Sequence, residues 1–338
     1  MWMLLPALSL AIVHIAGDNA GVVPDAAARA GAGICLTVVL AYLVFGAGLT
    51  GLAAWIGARA GVELAVVVRR LFGASGKRLF GAITLGISIP ASALTGGYFA
   101  ALLVRDLTGL PLTAATPLCL AFFALMAAGY LPELLIFANY CSLLLVPAVI
   151  LLFVLSGGYA PLLNPLPMTE IDWPLAMALL GYNAGGMRPA LAAETAACLA
   201  RRGGRAVWLT VAAKLLEGVL TVAMVYIVIA AGVAGPMSLT AAAACVFGPA
   251  GGRIFAGVLL CTFVTTMVPA MVVNGRHLAC CTGIATRSAV AAAAFVVYLA
   301  TFLSYGAMLT IMAWMAGATS LFIGYTAYKV HKNGVNQQ

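Results

Sequence analysis

Leu179-Leu180-Gly181-Tyr182-Asn183-Ala184-Gly185-Gly186-Met187-Arg188-Pro189 lies in the middle of an apolar run long enough to cross a membrane. Its glycines, Asn and Pro are poor material for one continuous helix: Gly costs about 1 kcal/mol in a helix interior and Pro about 3. In hydrocarbon the freed N–H and C=O groups cannot turn to water, so broken backbone is tolerated only against protein or a wet cavity. The stretch therefore predicts an interrupted span beside a binding site. A plain Gly/Pro kink at a packing contact is the competing explanation.

Composition sets the setting for that break. The 338-residue chain is 64% apolar and 8% charged, whereas a soluble domain carries about 25% charged residues. With a mean hydropathy of +1.12, this is a polytopic membrane protein whose partner is the lipid bilayer, with no room for a sizeable soluble domain. The net charge of +8 is concentrated in short links, the pattern of the positive-inside rule and not of a nucleic-acid surface. Met1-Trp2-Met3-Leu4-Leu5 lacks the basic n-region of a secretory signal, so the first apolar run reads as a retained helix. The eight cysteines are scattered without a CxxC pair and read as small packing residues.

At about 20 residues per crossing, the apolar runs give ten spans: 2–28, 33–57, 78–104, 115–131, 133–156, 173–200, 206–233, 252–274, 286–303 and 305–328. Arg59, Arg69, Arg70, Lys77 and Arg78 follow span two, Arg201, Arg202 and Arg205 follow span six, Arg276 and Arg287 border the link after span eight, and Lys329 and Lys332 lie in the tail. All follow even-numbered spans, which predicts cytoplasmic N- and C-termini.

The spans also repeat. Spans two to five match spans seven to ten in spacing, and the long link 58–77 is matched by 234–251. The segment 61–72 reads as an amphipathic helix at the basic side, and 238–247 as a short apolar helix on the other. No residue-level identity is seen between the halves. Five spans is an odd number, so halves at 1–157 and 173–330 have opposite topology, the inverted-repeat plan of many secondary transporters. That plan predicts a matching break in span one. His14-Ile15-Ala16-Gly17-Asp18-Asn19-Ala20-Gly21-Val22-Val23-Pro24 supplies it. Breaks are expected near 17–21 and 181–186.

Two inverted five-helix repeats with helices 1 and 6 discontinuous resemble the LeuT-fold transporters of the amino acid–polyamine–organocation superfamily. Within it, the chain is most similar to the ten-span YkvI-like bacterial membrane proteins, over nearly its whole length. The resemblance is carried by Tyr182-Asn183 followed by Pro189 and a basic link, by Ser304-Tyr305-Gly306 opening span ten, and by Gly324-Tyr325 near its end. Relatives carry a Gly-Gln-Glu type sequence after the first break. Here Val22-Val23 follow Gly21, so no role of that acidic pair transfers. The resemblance implies an all-α, LeuT-like bundle in a bacterial inner membrane. It implies secondary transport of a small, amino-acid-like solute, coupled to Na+ or H+. A receptor of the same fold, binding a solute without moving it, is the alternative.

At a helix break, orphan N–H groups favour anions and orphan C=O groups favour cations or donors. Gly17, Gly21, Gly181, Gly185 and Gly186 would let a ligand approach bare backbone, and Asn19, Tyr182 and Asn183 stand beside them. Asp18 is the one carboxylate at the centre of a span, and an intramembrane carboxylate is a functional hypothesis by default. It could bind a cation, pair with a substrate amine, or carry a proton with His14 one turn away. It could equally balance Arg188 across the break. Ser92 and Thr95 in span three are further pocket candidates. The resemblance implies a sodium site between span-one carbonyls such as Ala16 and span-eight hydroxyls, here Thr265 and Thr266, although Thr hydroxyls also bond back to their own helix. Lys214 and Glu217 read as a structural pair near the cytoplasmic side. No cofactor other than Na+ is expected. The three histidines, His14, His277 and His331, lie far apart and no HxxxH or DxxD constellation occurs, which argues against an enzyme. Oligomeric state is not legible.

Overall fold

The computed structural model describes residues 15, 18–30, 34–160, 172–184, 187–199 and 205–333. His14, Ala16, Gly17, Gly185 and Gly186 lie outside the described residues, as does the side chain of Asp18. All regular structure among the described residues is helical. Six helices are long and apolar enough to cross a membrane: Ile34–Ala60, Leu64–Thr108, Pro132–Leu155, Arg205–Ala231, Ser238–Thr282 and Tyr305–Lys332. Two shorter apolar helices, Leu112–Ala127 and Thr286–Ala300, supply spans four and nine. Of spans one and six, the described residues include 18–30, Trp173–Ala184 and Met187–Leu199. Large apolar side chains such as Trp208, Trp314, Leu321 and Ile254 point outward, as lipid-facing residues do, while Arg188, Lys214 and Glu217 are buried in the bundle.

Span six is two helical segments, Trp173–Ala184 and Met187–Leu199. The helix thus continues through Gly181 to Ala184, further than the expected break at 181–186 allowed. Gly181 has a packing role instead: a Cβ there would come within 2.5 Å of the Met312 carbonyl oxygen of span ten. In span one, Asp18–Val22 forms a π-helical turn and Val23–Ala30 an α-helix. Within the expected opening at 17–21, the described residues 18–21 form a widened turn and not extended chain. Gly21 is not bare either, because the Phe99 ring sits 2.6 Å from where its Cβ would be. Two further π turns, Val39–Gly46 and Ala93–Phe99, occur in spans two and three. Such turns swing side chains out of helical register and are frequent at functional sites.

The halves do share residues, at one place. Helix Leu64–Thr108 bends sharply at Gly73 (φ 71°, ψ −168°) and helix Ser238–Thr282 at Gly248 (φ 77°, ψ 175°). Only Gly adopts this region without strain. Around the bends run Phe72-Gly73-Ala74-Ser75-Gly76-Lys77-Arg78-Leu79-Phe80 and Phe247-Gly248-Pro249-Ala250-Gly251-Gly252-Arg253-Ile254-Phe255. In both, a Cβ on the second glycine would collide with the Cβ of the preceding Phe. The shared pattern Phe-Gly-x-x-Gly-x-Arg-x-Phe marks the same elbow, used once at each end of the bundle. It corrects the expectation that the repeat lies in spacing alone.

Candidate functional site

Where spans one, six and seven meet lies a buried cluster of charge. Glu217, near the middle of Arg205–Ala231, is fully buried, and Lys214 is 2% and Arg188 4% exposed. Glu217 Oε1 accepts from Lys214 Nζ at 2.7 Å and from Asn19 Nδ2 at 3.2 Å. Arg188 Nη2 stands 3.0 Å from the same oxygen. Asn19 also binds elsewhere. Its Oδ1 accepts from Arg188 Nη2 at 2.9 Å, and its Nδ2 also donates to Thr221 Oγ1 at 2.5 Å. The Asn183 amide donates to the Leu179 carbonyl oxygen at 2.7 Å. Tyr42 of span two closes one side, its ring centroid 4.7 Å from Lys214 Nζ and 5.9 Å from Arg188 Cζ. The Tyr182 ring lies 5.9 Å from Arg188 Cζ. Gly46 leaves room for this arrangement: a Cβ there would meet Lys214 Cε at 2.9 Å and Asn183 Oδ1 at 3.1 Å.

This geometry revises two readings. Lys214 and Glu217 form the local pair that their spacing suggests, but at mid-span and not near the cytoplasmic side, and the carboxylate is shared with Arg188 and Asn19. Glu217 is therefore a second carboxylate at the centre of a span, beside Asp18. Arg188 reaches Asn19 and Glu217; the alternative that it balances Asp18 falls on a side chain outside the described residues. Charges taken out of water need close partners and filled hydrogen bonds to be tolerated. Here one carboxylate oxygen joins the π turn of span one, the second segment of span six and the core of span seven.

A second cluster is neutral. Ser88 Oγ donates to Asn274 Oδ1, and Asn274 Nδ2 donates to Ser92 Oγ at 3.1 Å. Asn274 is fully buried, and sequence reasoning missed it. Its signal was available: it is the one Asn of span eight. Thr95, in the Ala93–Phe99 turn, is buried, as are Thr265 and Thr266. Thr265 Oγ1 donates to the Thr262 carbonyl oxygen at 2.9 Å, the back-bonding mode considered beside the sodium reading. The Asp18–Val22 turn contacts both the Ala93–Phe99 turn and helix Ser238–Thr282. Spans one, three and eight therefore meet, with Asn19 facing spans six and seven.

At the basic end, a cavity of about 430 Å3 is lined by Glu63, Lys77, Glu194, Arg276 and His277 among others. Arg276 Nη1 lies 3.6 Å from Glu63 and 3.7 Å from Glu194, holding the second segment of span six to span eight and to the start of the amphipathic helix. A cavity of about 380 Å3 near the other end is lined by Tyr98, Tyr298, Phe302 and Tyr305 from spans three, nine and ten; none of its lining residues belongs to spans one, six or seven. Among the described residues no group of three His, Cys, Asp or Glu is placed to hold a metal ion.

The arrangement matches a solved transporter. The chain superposes with a TM-score of 0.71 on Mhp1, a nucleobase-cation-symport-1 family transporter solved in a closed conformation with bromovinylhydantoin bound. The match covers 95% of this chain and 77% of that one at 15% sequence identity. The fold is thus that of a LeuT-type polytopic membrane protein. No protein-family model matches the sequence, and no curated protein matches it.

Proposed function

We propose that this protein is a secondary active transporter of a small polar organic solute, bound between the interruptions of spans one and six. The observation that carries the reading is the Asn19–Arg188–Glu217 cluster, which ties spans one and six to span seven inside a LeuT-type fold. A solute seated against Gly17, Asp18, Asn19 and Gly21 on one side and Tyr182, Asn183, Gly185 and Gly186 on the other would bear directly on that cluster. Ser92 and Thr95 would close the third side. Differential contact with two arrangements of such a cluster is what allows a ligand to shift a conformational equilibrium. Coupling is assigned to Na+ at Ala16, Thr265 and Thr266, or to a proton on Asp18 and His14. The amino-acid-like substrate class, the YkvI-like affiliation, the bacterial inner membrane and the cytoplasmic termini rest on the sequence resemblance and the basic links.

The test is uptake into proteoliposomes containing the full chain, against amino acids, nucleobases and hydantoins, with Na+ and pH gradients imposed separately. Gradient-driven accumulation supports the reading. Solute binding without flux would replace it with the receptor reading. Asp18→Asn separates the ions, because a proton carrier so altered loses pH-driven accumulation while keeping exchange, and a sodium-coupled protein keeps its sodium response.

A further inference from the structure

The basic end carries more positive charge than its own carboxylates can balance. Glu63 and Glu194 are both engaged by Arg276. Arg59, Arg69, Arg70, Lys329 and Lys332 have no carboxylate within ion-pair distance among the described residues. These cations belong to three elements packed on one small core. Leu64, Val67 and Val68 of the amphipathic helix bury against Ile56 and Ala60 of span two and Ile323, Ala327 and Val330 of span ten. With its apolar face spent on protein, the helix leaves Arg69 and Arg70 exposed.

Aromatic rings flank two of the cations. Tyr325 stacks on Phe72 at 5.6 Å, and Lys329 Nζ lies 5.5 Å from the same Tyr325 ring. Arg59 Cζ is 5.7 Å from the Trp55 ring, which in turn lies 6.5 Å from His331. The Nε of Arg59 is buried and has no acceptor among the described residues. The patch also continues into the lipid-facing surface. Leu321, Tyr325 and Tyr328 share one face of span ten and are 76%, 50% and 54% exposed. Tyr at this level marks the membrane–water interface.

We propose that this patch is a binding site for an anionic phospholipid. The phosphate sits among Arg69, Arg70 and Lys329, and the acyl chains run along the Leu321–Tyr325–Tyr328 face. Juxtamembrane basic clusters attract acidic headgroups, and guanidinium groups supply the fixed donor fork that phosphate oxygens match. The occupant is a bilayer lipid and not a soluble anion, because the cations lie beside an exposed apolar and aromatic strip that a headgroup alone would leave uncovered.

The experiment uses delipidated full-length protein, titrated with phosphatidylglycerol or phosphatidylcholine. Retained lipid is read by native mass spectrometry and the melting temperature is read in parallel. The wild type should retain phosphatidylglycerol preferentially and gain thermal stability from it. Each charge removed in Arg69→Gln, Arg70→Gln and Lys329→Gln should lower that preference about fivefold, while Arg69→Lys with Arg70→Lys should keep most of it. Retention should fall as salt rises. Equal retention of the two lipids by the wild type would overturn the proposal, as would an undiminished preference in the triple Gln variant. So would equal stabilisation by inorganic phosphate alone, which would make the patch a soluble-anion site.

Discussion

Two polar clusters lie in the centre of the bundle, one ionic and one neutral. Spans one, six and seven meet through Glu217, Arg188, Lys214 and Asn19, whereas spans three and eight meet through Ser88, Ser92 and Asn274. The difference follows the backbone. At spans one and six, strong charge-assisted bonds hold the Asp18–Val22 turn and the segment Met187–Leu199 to a continuous neighbour. Where spans three and eight run unbroken through the contact, hydroxyls and one amide suffice. A hydroxyl that loses its partner can turn back to its own helix; a buried carboxylate or guanidinium has no such fallback. The ionic cluster should therefore fail as a unit, and the neutral one by degrees.

The sharpest way to break that contrast is Glu217→Gln, which leaves Arg188 and Lys214 buried without their shared carboxylate. Removing one partner of a buried pair costs about 3–5 kcal/mol, and the loss should appear as a large drop in unfolding midpoint in detergent or bilayer. Adding Arg188→Gln should recover part of it. Wild-type stability in Glu217→Gln would mean the cluster carries no net ionic load.

Asn19→Ala comes next. It removes hydrogen bonds to Arg188, Glu217 and Thr221 but leaves the ion pairs. A hydrogen bond to a charged group is worth about 1.5–3 kcal/mol, so the midpoint should fall clearly but less than in Glu217→Gln.

Asn274→Ala tests the neutral side. Interhelical polar contacts in membranes average about 0.6 kcal/mol, with a maximum near 1.7. Unfolding of this variant should shift only slightly, and a double-mutant cycle with Ser88→Ala should show weak coupling. A loss equal to that of Glu217→Gln would erase the distinction between the clusters.

The smallest change in stability is expected for Thr265→Val with Thr266→Val, since Thr265 already donates within its own helix. Sodium supplies a separate readout for this variant. Loss of sodium-dependent stabilisation or uptake assigns an ion to these hydroxyls, and an unchanged response leaves them as helix hydroxyls.

Much of the architecture is legible in the sequence because the bilayer imposes strong rules. Apolar length gives the spans, and Gly/Pro/Asn interruptions single out spans one and six. In span six Gly181 does not break the helix: its absent side chain serves contact with span ten. Composition cannot distinguish a glycine that opens a helix from one that lets two helices touch. Helical spacing makes Glu217 and Lys214 look like a local pair; that Arg188 and Asn19 share the same oxygen is a tertiary fact. The elbow repeat is written in the sequence and easily overlooked. Duplicated halves diverge wherever packing allows substitution, and keep their residues only where a positive φ and a closed Phe–Gly contact forbid it.

Those elbows bear on how the chain enters the membrane in the first place. One nine-residue design turns a surface helix into a span at both ends of the bundle, so its geometry carries no information about which way up it belongs. A nascent chain must obtain that information from elsewhere. The first elbow is surrounded by Arg59, Arg69, Arg70, Lys77 and Arg78, and the second has Arg253 alone. Loop charge, not helix geometry, then decides orientation during insertion. The arginines that crowd the lipid headgroups would thus have acted earlier, in fixing the topology on which every later contact depends.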